Sequence, residues 1–373
     1  MKIAILSCFP PYRGGISQFN TSLYKELSKE HLVAAFNFKR QYPEFLFPGK
    51  TQYIEDGKAD FPESVGILDT ANPFSYPKAA KAISEWDADL LLMRYWMPYF
   101  APSQGYVARH AGKRCKVISI LDNVIPHERH FFDRPLTKWY LEGNDGFIVL
   151  CNAVAEDLTD IKPDARFMVA PHPVYSNFGT KIPRGEAISA LGLDPSRKTL
   201  LFFGLIREYK GLDLLIRAFS MLDSSYQLII AGETYGSFDR YADLIEKCPD
   251  KEHIKVFNRF IGDDEVYLYF SAADLCVLPY RSATQSGISS IAYHFDLPMV
   301  TTAVGGLKEM IGDTGTGMIA ESISAESVRD AICGYFSAIR DDNPFIRNIQ
   351  QEKKRLSWET FCSNLLRFYN TLP

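Results

Sequence analysis

Three stretches of this 373-residue chain set polar or cationic residues directly after apolar runs, where side chains can meet a ligand. In FFGLIREYKG (202–211), Gly204 closes an apolar run, Arg207 and Lys210 occupy a turn, and Gly211 leads into an apolar helix. Two cations beside a helix N-terminus can hold a diphosphate and stabilise it as a leaving group, a task divalent metals perform elsewhere. A solvated charged loop is the other reading. In the stretch 279–309, the small-residue turn Thr284, Gln285, Ser286, Gly287 precedes an apolar helix expected over 288–295. A β-branched strand over 299–302 then reaches Gly305-Gly306 and Glu309. Free backbone N–H groups and a helix dipole converge on such a turn and suit an anion, although an ordinary αβ connection has the same pattern. In KVISILDNVIPHERHFF (116–132), an apolar strand delivers Asp122, Asn123, His127 and Glu128 to its carboxyl end. These groups suit a hydroxylated substrate, with His127 available for acid–base work or for holding backbone. The spacing of His127, Glu128 and His130 is not the HExxH metal pattern, so no metal is expected.

The elements that must position these residues alternate between strand and helix. Ile3 to Ser7 reads as a buried strand, followed by a Pro/Gly loop and a helix with Phe19, Leu23 and Leu27 on one face. Gly14-Gly15 lies just before that helix without the GxGxxG fingerprint, which argues against a dinucleotide site. It is either a plain tight turn or a place where a ligand approaches backbone N–H groups. The aromatic residues of 36–47 and 95–100 read as core with a loop lid, or as a patch facing an acceptor or a membrane. Residues 170–198 are rich in Pro, Gly and Ser, lack an apolar period, and read as an inter-domain connection. A second strand–helix series follows, as in a parallel doubly wound sheet. The last stretch, 357–372, has the pattern of an amphipathic helix.

Composition narrows the class. A formal net charge of −4 and a pI near 6.0 give no general nucleic-acid footprint. The 7 cysteines are scattered without a CxxC pair, which predicts reduced thiols and a cytoplasmic protein. No apolar run approaches the roughly 20 residues of a membrane span.

Taken together, the Gly14-Gly15 loop, FFGLIREYKG, the donor-type loop before AYHFDLPMVTT, and GGLKE (305–309) resemble the GT-B glycosyltransferases, specifically the large retaining family called family 4. The resemblance implies an α/β fold of two Rossmann-like domains with parallel sheets facing a central cleft and a C-terminal helix crossing back. The implied boundaries are 1–175 for the acceptor-binding domain, 176–355 for the donor-binding domain and 356–373 for the returning helix. It implies transfer of a sugar, with retention, from a UDP- or GDP-linked donor to a saccharide or lipid-linked acceptor, without cofactor or metal. Arg207, Lys210, His127 and Asp122 would be catalytic. Gly14, Gly15, Gly204, Thr284, Gln285, Ser286, Gly287 and Glu309 would bind the donor, and Asn123 and Glu128 the acceptor. The implied partners are donor and acceptor, with peripheral contact at the inner face of a membrane as an option, in a monomer or homodimer. The chain departs from the family where two glutamates are usual: Ala283 and Ile291 stand there. Leu205 replaces the usual arginine after the strand glycine, and Asp122 stands where many members have histidine. A GT-B protein that binds nucleotide or partner without transfer is the alternative.

Overall fold

A computed structural model describes residues 1–43, 52–54, 64–125, 131–175, 178–283, 286–339 and 342–373. They form two units, Met1–Pro171 with Trp358–Pro373, and His172–Ser357. In the first, strands β1 (Lys2–Leu6), β2 (Leu32–Arg40), β3 (Val65–Asp69), β4 (Leu90–Tyr95), β5 (Lys116–Leu121), β6 (Gly146–Val149) and β7 (Phe167–Val169) form one parallel sheet. Its order is β3-β2-β1-β4-β5-β6-β7. Helices α1 (Gly15–Leu27), α2 (Ser75–Trp86), α3 (Ala101–His110), α4 (Asp133–Leu141) and α5 (Asn152–Ile161) connect the strands.

The second unit opens with α6 (Arg184–Leu191), followed by β8 (Lys198–Phe203), α7 (Leu212–Phe219), β9 (Tyr226–Ala231), α8 (Asp239–Glu246), β10 (Ile254–Phe257) and α9 (Val266–Ala272). Next come β11 (Leu275–Leu278), α10 (Gly287–His294), β12 (Met299–Thr302), β13 (Gly317–Ala320), α11 (Ala325–Ala338) and α12 (Pro344–Arg355). The sheet is again parallel, in the order β10-β9-β8-β11-β12-β13. Strands such as LLLMRY of β4 and YQLIIA of β9 are buried throughout. Near-continuous apolar runs are what a parallel sheet covered on both faces requires. Strand order reverses between β1 and β4, and again between β8 and β11. Ligands of open α/β sheets bind outside the carboxyl ends of the strands at such a reversal.

One expectation is corrected, and one choice between two readings is decided for the residues described. The stretch 170–198 contains α6, an eight-residue helix that buries Ala187, Ile188 and Leu191. Pro183 before it and Gly192 in the left-handed conformation after it delimit the helix, and their turn signals mask its short apolar face in the sequence. Of the aromatic residues considered for an external patch, Phe36, Phe38, Tyr95 and Phe100 are core. Phe38 packs on Trp96 and Phe100, while Phe45 and Phe47 lie outside the described residues.

The chain returns to the first unit through α13 (Trp358–Thr371), whose Trp358, Phe361 and Leu365 are buried. Phe19 of α1 meets Trp358 and Phe361 edge-on, with centroids 4.9 and 5.6 Å away. A side chain at Gly146 would meet Phe368 and Leu372 at 2.9–3.0 Å, so the glycine lets the helix lie close to β6. Leu365 is 0% exposed. Leu365→Ala is therefore expected to cost about 2–5 kcal/mol through lost burial and the residual cavity. A lower urea midpoint at unchanged slope checks this.

Candidate active site

The reversal between β8 and β11 brings together two of the loops singled out above, the one after β8 and the one after β11. Gly204 follows β8 with φ 95°, and a Cβ there would lie 3.0 Å from Ile288 Cδ1 and 3.4 Å from Lys210 Nζ. Its missing side chain makes room for the lysine head. Arg207 starts a short 3-10 turn, Glu208–Lys210, that ends at Gly211. Gly211 has φ 66°, and any Cβ would fall 2.0 Å from the Pro279 carbonyl oxygen. Only glycine permits the two loops to approach that closely.

An ion pair clamps the same loops. Arg281 Nη1 and Nη2 donate to Asp213 Oδ1 and Oδ2 at 2.8 and 2.7 Å. Arg281 also donates from Nη1 to the Glu208 carbonyl at 3.2 Å and from its backbone N–H to the Tyr209 carbonyl at 2.6 Å. Burial works against the Asp213 carboxylate, yet hydrogen bonds from Arg281 hold its pKa below the ordinary value. Arg240 adds a second cation, reaching Glu208 and Asp213.

This scaffold holds two cations, Arg207 and Lys210. Among the described residues, neither Arg207 nor Lys210 makes an ion pair, and Arg207 Nε is buried without a hydrogen-bond partner. The Arg207 guanidinium lies 4.8 Å from the centroid of Tyr235, and the Lys210 ammonium 5.7 Å from that of Tyr280. Burial, reinforced by the charge of Arg207, lowers the Lys210 pKa from 10.5 to about 8. A buried, unpaired ammonium beside a guanidinium is unfavourable by itself and favourable once an anion arrives.

After β11, Tyr280 is buried and its hydroxyl lies 3.1 Å from Ser286 Oγ. Ser286 precedes α10, which starts at Gly287, while Thr284 and Gln285 lie outside the described residues. A Cβ at Gly287 would make only ordinary contact with Tyr175 at 3.9 Å, so sterics do not demand glycine there. Ala283 and Ile291 are buried in the apolar core of the unit. Glu309 is half-buried in a π-type turn, Lys308–Gly312. The Tyr293 hydroxyl donates to the Met310 carbonyl at 2.5 Å and lies 2.6 Å from Thr316 Oγ1, pinning that turn. Such a local widening of a helix often marks a functional position.

In the first unit, Gly14 (φ 111°) and Gly15 lie at the start of α1, after β1. Asn20 Nδ2 donates to Ser7 Oγ and the Cys8 carbonyl, both at 2.8 Å, and Asn37 ties down Phe9 and Pro10. Asp122 follows β5 and is not a free carboxylate. Arg94 Nε and Nη2 donate to its two oxygens at 2.6 Å each. Arg94 is 3% exposed and lies 3.9 Å from the centroid of Phe19. Asn123 is half-buried beside it; His127 and Glu128 lie outside the described residues.

Sequence reasoning missed Arg94, the Arg281–Asp213 clamp and the Tyr293 pin. A cation inside the apolar run LLLMRY was the available signal for Arg94. Clamp and pin join residues remote in sequence and left none. Of metal-ligand types, Asp250, Glu252 and His253 gather on the turn before β10, at the sheet edge and on neither loop.

The buried ammonium carries a stability consequence. Below about pH 8 both native and unfolded Lys210 are charged, and the native state bears the full burial penalty. Between about 8 and 10.5 the native lysine loses its proton first, so this contribution to stability recovers as pH rises. Lys210→Met is expected to stabilise the protein at pH 7 by about 1–3 kcal/mol. That advantage should fade toward pH 10.5, as urea unfolding at the two pH values will report.

Residues 183–350 match the family described as Glycosyl transferases group 1. The chain is 25% identical over 206 residues to a D-inositol 3-phosphate glycosyltransferase of Corynebacterium urealyticum, covering 52% of this chain and 48% of that protein. It is 25% identical over 379 residues to an uncharacterized glycosyltransferase of Methanocaldococcus jannaschii, covering 100% and 99%. The chain spans about half the length of the Corynebacterium D-inositol 3-phosphate glycosyltransferases it matches. Among solved structures, it resembles the sucrose-phosphate synthase of Thermosynechococcus elongatus at a TM-score of 0.76 and 18% identity, over 99% of this chain and 98% of the other. Anabaena HepE in complex with UDP aligns at a TM-score of 0.76 and 15% identity, over 100% of both chains. The chain therefore has the GT-B fold, and the segment that carries Arg207 and Lys210, residues 183–350, matches the model of the glycosyl transferases group 1 family.

Proposed function

We propose that the protein is a retaining glycosyltransferase that moves a sugar from a nucleotide-diphosphate donor to a saccharide or lipid-linked acceptor. The observation that carries this reading is the pair Arg207 and Lys210, two cations without an ion pair among the described residues at the strand-order reversal of a group 1 segment. As the bond to the anomeric carbon breaks, negative charge grows on the departing diphosphate, and preorganised cations in a dry site stabilise that charge. Removing one such group typically costs about 10²–10³ in rate. The two cations supply the electrostatic role of a divalent ion, so chelators are expected to leave transfer unchanged.

In this reading Gly204 clears space for Lys210, and the backbone N–H groups of Ser286 and Gly287 join in holding the diphosphate, while Gly14 and Gly15 of the first unit are donor-binding candidates on their own turn. Thr284, Gln285 and Glu309 bind hydroxyls of the donor. The apolar setting of Ala283 and Ile291 supports a donor subsite built without the two glutamates of the resembling family. His127 serves as the acid–base group, with Asn123 and Glu128 on the acceptor. Asp122, held by Arg94, becomes a fixed acceptor of hydrogen bonds and not a mobile base. UDP-glucose complexed with HepE, and UDP, make uridine donors the first to test.

The acceptor side has a physical clue. Phe131 is 94% exposed and Phe132 44%, at the start of α4, where Arg134, Lys138 and Trp139 are exposed too. Aromatic residues interleaved with cations suit the interface of an anionic bilayer, which favours a lipid-linked acceptor and peripheral contact on the cytoplasmic face. No helix of the described residues is long and apolar enough to cross a membrane.

A panel of UDP-, GDP- and ADP-sugars in a thermal-shift assay tests donor binding. A true donor at 100 times its Kd should add about 2.7 kcal/mol of apparent stability. Lys210→Ala should abolish that shift and the transfer; unchanged turnover would remove the diphosphate role. Proton NMR of the first-formed product should show the donor's anomeric configuration. Donor binding without transfer or hydrolysis would favour the alternative, a nucleotide-binding protein of GT-B fold. Phe131→Ser/Phe132→Ser should release the chain from anionic vesicles in co-sedimentation while leaving donor binding intact.

A further inference from the structure

A second concavity lies in the same unit at the opposite end of its sheet. It has a volume of about 510 Å³, within the usual range for small-molecule sites. Lys198 opens β8, Pro298 directly precedes β12, and both line it. The paired cations Arg207 and Lys210 follow the other end of β8, which at six residues is about 20 Å long.

The charges of its wall can be paired off residue by residue. Arg184 Nε and Nη2 donate to Asp274 at 2.9 Å each, and Arg184 also donates to the Arg197 carbonyl. Asp296 is held by Lys353 at 2.9 Å, and Arg197 by Asp194 at 3.0 Å. Two cations remain, Lys181 and Lys198, and neither makes an ion pair among the described residues. The Lys198 ammonium instead lies 4.7 and 5.0 Å from the ring centroids of Tyr226 and Phe336, with the Tyr226 hydroxyl at 3.5 Å. A cation held on aromatic faces keeps its charge available to an incoming anion. Partial loss of water lowers the Lys181 pKa even though Asp296 and Asp274 act to raise it.

Of the uncharged wall, Ser196, Ser271, Tyr335 and Asn343 hydrogen-bond within the protein, and much of the rest is apolar. Phe336, Ile339 and Ile346 are half-buried and line the concavity with Leu297 and Pro298. Surplus positive charge beside an apolar surface favours an anion that carries an apolar body over a bare inorganic ion or a neutral sugar. We propose that this concavity binds an organic anion with an apolar, ring-sized body, whose charge is met by Lys181 and Lys198. Lys181 lies on the segment that enters the unit, between His172 and α6, whereas Ile346 lies on α12. An occupant would tie that segment to α12. The inference does not depend on the glycosyltransferase reading.

Phenyl phosphate is the probe, followed by ligand-observed saturation-transfer NMR on the full chain with and without excess UDP. Saturable binding that UDP does not displace is expected. It should weaken at least tenfold in Lys181→Ala/Lys198→Ala and in Ile339→Asp, which sets a carboxylate against the anion. Inorganic phosphate should bind at least tenfold more weakly than the probe. Lys181→Gln alters an exposed position only, and keeps the charge test open if the double variant fails to fold. Absence of saturable binding, displacement by UDP, or unchanged affinity in the lysine variants would overturn the proposal. Equal affinity for inorganic phosphate would remove the apolar body from it.

Discussion

The ammonium of Lys210, buried and without an ion pair among the described residues, is the constraint around which the second unit is arranged. A charge in that position raises the free energy of the empty protein, so the surrounding structure has to hold it there. Three features do so: Gly204 leaves the space, Gly211 lets the turn meet the Pro279 carbonyl, and Arg281 locks onto Asp213 and Glu208. The last two join the segment after β8 to the loop after β11, across the point where strand order reverses. The backbone path thus holds both cations in place before any ligand is present.

The first unit solves a related problem in the opposite way. Arg94 lies within a buried strand, where an unpaired guanidinium would be costly. Asp122 neutralises it through two hydrogen bonds, and the ring of Phe19 covers it. Phe19 in turn packs on α13, so the returning helix supports the residue beneath the polar cluster after β5. Among the described residues, Arg207 and Lys210 of the second unit thus form no ion pair, whereas Arg94 of the first is neutralised by Asp122. An unpaired buried cation marks a candidate functional position, whereas a paired one serves the architecture.

Much of this was legible in the chain itself. Apolar runs broken by Gly, Ser and Asp gave the alternation of strands and helices, and both parallel sheets follow from it because buried strands must be apolar on both faces. Arg207, Lys210 and the glycines flanking them stood out because cations rarely follow an apolar strand beside a helix start without a reason. Helix α6 was hidden because eight residues between Pro183 and Gly192 hold too little periodicity to rise above the turn signals. The aromatic residues after β2 and β4 were ambiguous for a different reason, since the same residue types serve core and surface. Burial assigned Phe38 and Phe100 to the core.

By itself, then, the sequence determined the layer architecture, and it singled out candidate strand ends and the cations proposed to meet a diphosphate. These depend on local pattern, hydrophobic period and turn chemistry, which neighbours along the chain suffice to encode. Tertiary structure alone decided which charges are free. Arg281 pairs with Asp213 and Arg94 with Asp122, whereas Arg207 and Lys210 form no ion pair among the described residues. Pairing is a property of distance in space, and residues 28 or 68 positions apart cannot declare it in one dimension.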